Sequence, residues 1–261
     1  MAEISRKEWK KYCDILSSLS TRAADDFKYE IFNQKGRWYG MGIENIPRND
    51  LIDFAYFLIT KYSEGSVAVA CQMYDELAEA SGVVLPPAEP ADTASYQDVA
   101  KTVNGTIKRS LNEEIIGASL GRLVKQAGQD TTIKNAIRDK CQMAWIPLGD
   151  TCAFCLLLAA KGWEDASPEM YGENGHAAHI HSNCDCSYGV RFDKTTSYAG
   201  YDPVKYKRIY ANAEGATEEQ KLNSMRRDFY TENSEKINEQ KRSAYEKRKE
   251  RESSEAEEMK V

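Results

Sequence analysis

Apolar residues recur at helical spacing through most of the first 145 positions. Trp9, Tyr12, Leu16 and Leu19 stand three or four apart behind Ser5, and Ala24, Phe27 and Ile31 continue the stripe. This predicts a helix capped by the Ser5 hydroxyl. Gly36, Gly40 and Gly42 then mark a turn region around Trp38 and Tyr39. A helix begins at Asn49 or Asp50, with Leu51, Phe54, Ala55, Leu58, Ile59 and Tyr62 on one face. Another follows from about Ser66, carrying Ala70, Tyr74 and Leu77 and ending near Gly82. Pro86, Pro87 and Pro90 make 83–95 a loop or linker and a candidate boundary. Beyond it lie three stripes: Tyr96, Val99, Val103, Ile107 and Leu111; Ile115, Ile116, Leu120, Leu123 and Val124; and Ile133, Ala136, Ile137 and Cys141, leading into Met143 and Trp145. At this spacing such residues are core packing first.

The pattern breaks at Ile146-Pro-Leu-Gly-Asp150, where proline and glycine end the helix and short extended pieces are expected. Residues 146–192 are rich in Gly, Cys, His and Asn, and Ser187–Phe192 reads as a short strand. From about 201 the chain is charged, with 14 Lys/Arg against 14 Asp/Glu in 201–261. Its few apolar positions predict one long solvated helix that frays toward Val261. The fold class is therefore mainly α: a helical body, a small α+β segment around a metal, and a long charged C-terminal helix. Three regions are expected: a helical one over 1–85, a second helical one over 96–192 that ends in the Cys/His segment, and the partly disordered tail over 201–261.

Composition narrows the function. The chain has 261 residues, 41% hydrophobic and 29% charged, which suits a globular protein. Net charge is −6, so contact with nucleic acid would need a local patch. One such patch is Lys241, Arg242, Lys247, Arg248, Lys249 and Arg251, set against only Glu246 and Glu250. The run Ala153–Ala160 is eight residues, far short of the roughly 20 that span a bilayer. The N-terminus lacks an apolar signal core. No membrane role is expected, and synthesis in a cytoplasm is. A disulfide framework is not expected there.

Of seven cysteines, Cys13, Cys71 and Cys141 sit alone in helical patterns and read as core. The other four form two pairs: Cys152-x2-Cys155, then 25 residues, then His181-x2-Cys184-x-Cys186. A C-x2-C turn offers two thiolates from one corner, and a second cluster supplies the rest of a zinc tetrahedron. Binding energy of that kind becomes folding energy for a segment with little core. Five donors compete for four places. Cys152, Cys155, His181 and Cys186 are the preferred set, with Cys184 as rival. His176 and His179 read as loop or supporting groups. Four or five soft donors would close the shell, so the zinc reads as structural. Asp150 reads as a turn or cap for a helix starting near Phe154. No Gly-rich phosphate loop, G-x-S-x-G or H-E-x-x-H is present, and no His is followed by x-Glu as zinc deaminases require.

The segment Gly149–Trp163 (G-D-T-C-A-F-C-L-L-L-A-A-K-G-W), with His181-Ser-Asn-Cys-Asp-Cys186 and a strand ending in Arg191-Phe192, resembles the Mu F-like minor capsid, or head morphogenesis, proteins of tailed phages. Upstream, Asp50–Tyr62, Tyr74-Asp-Glu-Leu77 and Arg138-Asp139 follow a similar order. The resemblance covers roughly 45–192. It implies a non-enzymatic virion component of the phage head, made in the bacterial cytoplasm. It also implies a role in capsid assembly, association with the portal or major capsid protein, and in some phages ejection with the DNA. The basic block 241–251 would then touch packaged DNA. Two other functions fit the same residues: a zinc-supported nuclease or effector enzyme, and a zinc-stabilised nucleic-acid-binding module.

Overall fold

A computed structural model describes residues 3–148, 152–172, 175, 184, 186–235, 238–239, 242 and 246, with backbone alone at 113–114. Helix α1 spans Arg6–Phe32. It starts where the sequence places it, because Ser5 and Glu8 form a reciprocal cap: the Glu8 amide donates to Ser5 Oγ at 3.2 Å and the Ser5 amide to Glu8 Oε2 at 3.3 Å. Helix α2 is continuous over Arg48–Ala80, where the sequence reading has two helices. Its buried stripe runs unbroken from Leu51 to Leu77. Gly65, the weakest point, lies against the Leu19 side chain of α1, where a Cβ would sit 3.5 Å from the Leu19 methyls. Packing there outweighs the roughly 1 kcal/mol that an interior glycine costs.

Helix α3 spans Tyr96–Arg109 and is capped by Ser95 and Asp98. Helix α4, Glu113–Arg138, packs against α1, α2 and α3. It unites the second and third apolar stripes of the sequence reading into one helix. Those stripes look separate because Lys125, Gln129, Asp130, Thr131, Thr132 and Asn135 lie between or among them, yet all six are buried. On the other side glycines let backbones meet. A Cβ on Gly121 would stand 2.7 Å from the Ser20 carbonyl oxygen of α1, whose own hydroxyl donates to the Gly121 carbonyl at 2.7 Å.

The proline-rich stretch 83–95 forms no helix or strand, as a loop is expected to, and is fastened along α4. Asn135 accepts from the Glu89 amide (2.9 Å) and donates to the Glu89 carbonyl (2.8 Å). Thr131 accepts from the Ala91 amide at 3.1 Å, and Arg138 donates to the carbonyls of Pro86 and Pro87. These bonds satisfy a backbone that belongs to no helix or strand.

Gln142–Ile146 is a strand, β2, rather than a helical end, so the change of texture comes four residues before Ile146. Gln142, Met143, Ala144 and Trp145 pair antiparallel with Arg191, Val190, Gly189 and Tyr188 of β4 (Ser187–Arg191), and β3 (Glu164–Asp165) lines the other edge. The sequence reading of β4 is borne out. A parallel pair joins β1 (Glu3–Ile4) to β5 (Ser197–Tyr198), and Trp9 meets the Tyr198 ring edge-on at 5.2 Å. Helix α5, Ala153–Lys161, lies between β2 and β3 in the chain. Helices α6 (Pro203–Asn212) and α7 (Glu218–Glu232) both pack on it. The described tail is thus two helices where one was expected. Gly215 at φ 134° breaks the run, and Thr217 with Gln220 caps the restart. No helix of the described residues is long and apolar enough to cross a membrane.

Two packing details make predictions. Gly121→Ala drives a Cβ into the Ser20 backbone and should destabilise the protein by about 1–3 kcal/mol. Gly105→Ala, mid-helix in α3 with nothing within 4 Å of the new methyl, should stabilise by about 0.5–1 kcal/mol. Urea unfolding of the pair decides it; equal effects would refute the close approach. Asp130 is buried, with one oxygen lacking a partner, and burial raises its carboxyl to about 6. A raised folded value means that the stability it lends is complete below the unfolded value near 3.9. That stability is lost as pH climbs through about 6. Asp130→Asn should therefore stabilise by about 1–3 kcal/mol at pH 8 relative to its effect at pH 4. A difference that does not change with pH would refute this.

Candidate metal centre

Two short elements carry the cysteines. Cys152 is the N-cap of α5, and Cys155 lies one turn in, so both sit at one helix end. Cys184 and Cys186 immediately precede β4, whose pairing with β2 brings that end of the sheet beside α5. The sulfurs of Cys155, Cys184 and Cys186 all lie within 4.8 Å of one another, and each residue is 1–2% exposed. Cys155 Sγ and Cys184 Sγ are 3.3 Å apart. Around them pack Tyr74, Ile133, Met143, Trp145, Leu158, Tyr188 and Val190, which makes a dry wall. All seven cysteines are free.

The electrostatics follow from three thiols in one dry space. Hydrogen bonds from Cys155 and from Cys186 hold Cys184 well below the ordinary thiol range, against burial. Cys155 is driven far upward by its thiol contacts with Cys152, Cys184 and Cys186, and by burial. Cys186 is drawn down by Cys155 but ends raised, through its contact with Cys184 and through burial. A divalent cation would let all three ionise. Tetrahedral coordination at about 2.3 Å puts sulfurs roughly 3.8 Å apart, and the observed spread brackets that spacing. The residues therefore fit a soft metal ion.

Of the five donors read from the sequence, Cys155, Cys184 and Cys186 converge. Cys184, the rival in that reading, is at the heart of the group. Cys152 is half-buried and hydrogen-bonded to the Cys155 thiol, with its sulfur outside the group of three. His181 lies outside the described residues, as do His176, His179 and Asp150. Of the basic block, Arg242 alone is described, helical and exposed.

Other polar residues near the cluster have no motif. Gln129 of α4 donates to Ser187 Oγ at 2.7 Å and accepts from the Tyr188 amide at 3.3 Å, gripping the backbone just past Cys186. The period of four from Lys125 to Gln129 is the signal that could have found this face. Below the cluster, Arg138 makes two 2.8 Å bonds to Asp139, and Asp139 also accepts from the Tyr74 hydroxyl at 2.8 Å. Burial works against the Asp139 carboxylate, but Arg138 and Tyr74 keep it below the usual range. Tyr74 and Arg138-Asp139, noted separately in the sequence, meet here and steady the entry to β2.

The VG15 protein family matches residues 3–213. No curated protein and no solved structure matches the chain. The family match takes in α1 to α6 and both cysteine pairs, and so the chain belongs to the VG15 protein family, a phage-associated family.

Proposed function

We propose that this protein is a minor structural component of a tailed-phage head, acting in capsid assembly beside the portal, and that a structural zinc ion closes its cysteine cluster. The observation that carries the zinc reading is the convergence of three buried sulfurs from two segments almost thirty residues apart. Cys155, Cys184 and Cys186 would hold the ion, with Cys152 or His181 as the fourth donor. When bound, zinc supplies a cross-link and no reaction: it ties the start of α5 to the start of β4. The chain between them then becomes a closed loop whose ends cannot drift apart. Donors this deeply buried suit a closed shell, whereas a catalytic zinc keeps an open position.

The head role rests on the phage-associated family and on the likeness of the 149–192 motifs to Mu F-like head proteins. The helical body gives a surface for the portal or the major capsid protein. Lys241, Arg242, Lys247, Arg248, Lys249 and Arg251 are the proposed contact with packaged DNA. Deletion of 241–261 should then abolish a DNA binding that weakens steeply with salt.

Native protein should contain one zinc per chain by elemental analysis. Chelation should lower its unfolding midpoint, and added zinc should restore it. With free zinc at a thousand times Kd the linkage is worth about 4 kcal/mol. Cys155→Ser and Cys186→Ser should each lose that response; a chelator-insensitive midpoint would sink the zinc reading. For the head role, quantitative mass spectrometry of purified particles should find the chain at low, fixed copy and cross-linked to portal or shell. Its absence from particles, with abundance in the lysate, would overturn the assignment.

A further inference from the structure

Oxidation gives the cluster a second way to join the same two segments. Cys155 Sγ lies 3.3 Å from Cys184 Sγ, across 29 residues of chain. A disulfide bond is about 2.05 Å long, so this pair has roughly 1.2 Å to close. The pairings between near neighbours in the chain would join nothing. A Cys152–Cys155 bond stays within the first turn of α5, and a Cys184–Cys186 bond stays within the approach to β4. Only a bond from Cys155 to the second segment ties α5 to β4. Cys155 and Cys184 are 1% and 2% exposed, behind the wall of Tyr74, Trp145 and Leu158, so a dissolved oxidant does not reach them directly. Cys152 is within reach. It is half-buried at the N-cap of α5, outside the group of three, and its thiol is hydrogen-bonded to that of Cys155.

We infer that Cys152, Cys155 and Cys184 form a thiol relay for peroxide, and that its end product is a Cys155–Cys184 disulfide, which holds α5 to β4 without a metal. The Cys152 sulfur attacks hydrogen peroxide and breaks the O–O bond; it becomes a sulfenic acid and one water leaves. The Cys155 sulfur attacks that sulfenic sulfur and expels a second water, which leaves a Cys152–Cys155 disulfide. Cys184 then attacks Cys155: the Cys155–Cys184 bond forms, the Cys152–Cys155 bond breaks, and the proton lost by Cys184 ends on the Cys152 thiol. In sum two thiols give up two electrons and two protons, one peroxide becomes two waters, and Cys152 is restored. Attack on the buried disulfide from outside must pass through Cys152 again. Thiols persist in a reducing cytoplasm, so the bond belongs to conditions where peroxide outruns reductant. The inference stands on the positions of the sulfurs and does not need the ion. Where zinc is bound, it loses two thiolate donors and is released.

The test uses the full chain, freed of reductant, with hydrogen peroxide as the probe, in metal-free and zinc-loaded samples. Mass mapping after alkylation of the remaining thiols should find Cys155 joined to Cys184, with two thiols lost per chain. The zinc-loaded sample should release one zinc per disulfide, read with a chromophoric chelator. The oxidised metal-free chain should unfold at higher urea than the reduced metal-free chain. Cys152→Ser should lose most of the rate and keep the product, whereas Cys184→Ser should stop at Cys152–Cys155. A parent whose final disulfide is Cys152–Cys155, or whose cysteines go on to sulfinic acids without a cross-link, overturns the inference and leaves the zinc reading standing. Equal urea midpoints overturn the tie, and a Cys152→Ser chain that reacts as fast as the parent overturns the relay. A parent that forms the Cys155–Cys184 bond but binds no zinc overturns the zinc reading alone. If a variant fails to fold, the disulfide map of the parent decides.

Discussion

The buried polar face of α4 is the constraint on which the rest depends. A helix in the middle of a bundle could satisfy its own backbone and surround itself with apolar side chains. Here it instead carries Lys125, Gln129, Thr131 and Asn135 into the interior, and each polar group left without a partner would cost about 1–3 kcal/mol. Their partners lie in other parts of the chain. Asn135 and Thr131 fasten the 83–95 stretch, and Gln129 fastens the first residues of β4. The helical body and the small sheet are joined by these bonds as well as by apolar contact. They are directional, so they fix register where hydrophobic contact alone would allow sliding.

That same face explains what could and could not be read from the sequence. The start of α1 was legible because Ser5 is a local capping signal, and with Glu8 it forms the reciprocal cap; Ser95 and Asp98 form the same cap at the start of α3, a signal the sequence reading did not use. The 83–95 loop was legible from its prolines. The unity of α4 was hidden, since a period of apolar residues cannot report a stripe that continues in lysine, glutamine, threonine and asparagine. The strand β2 was hidden for the opposite reason. Met143, Ala144, Trp145 and Ile146 are buried on both faces, and a short, uniformly apolar run has no period of two to distinguish it from a helix end. In the tail, Gly215 and Thr217 do signal a stop and a restart, but the charge of the surrounding sequence favoured a single solvated helix.

The cysteine site shows the same division between local and distant information. Spacing alone singled out the two pairs, and the fold brings three of their sulfurs together. Ranking the donors was beyond spacing, because Cys184 and Cys186 differ by two residues and both can reach. Their roles separate through what surrounds them: Cys184 takes hydrogen bonds from both Cys155 and Cys186, and Cys186 is followed at once by Ser187, which Gln129 holds from α4. Such a partner lies outside any cysteine motif.

If the proposed head role holds, these features bear on why such a component would be built this way. The sheet that carries β4 is three strands, one of them only two residues long. Besides its buried Met143, Trp145, Tyr188 and Val190, it is held by attachment: to α4 through Gln129, to α5 through the thiol cluster, and to the β1–β5 pair through the Tyr198 hydroxyl, which donates to the Val190 carbonyl at 2.8 Å. A metal cross-link adds rigidity at one point without enlarging the core. It also makes that rigidity conditional on a bound ion. A protein that must take its shape in a reducing cytoplasm, where disulfides do not persist, and then hold that shape inside a particle, is well served by thiolates closed around zinc.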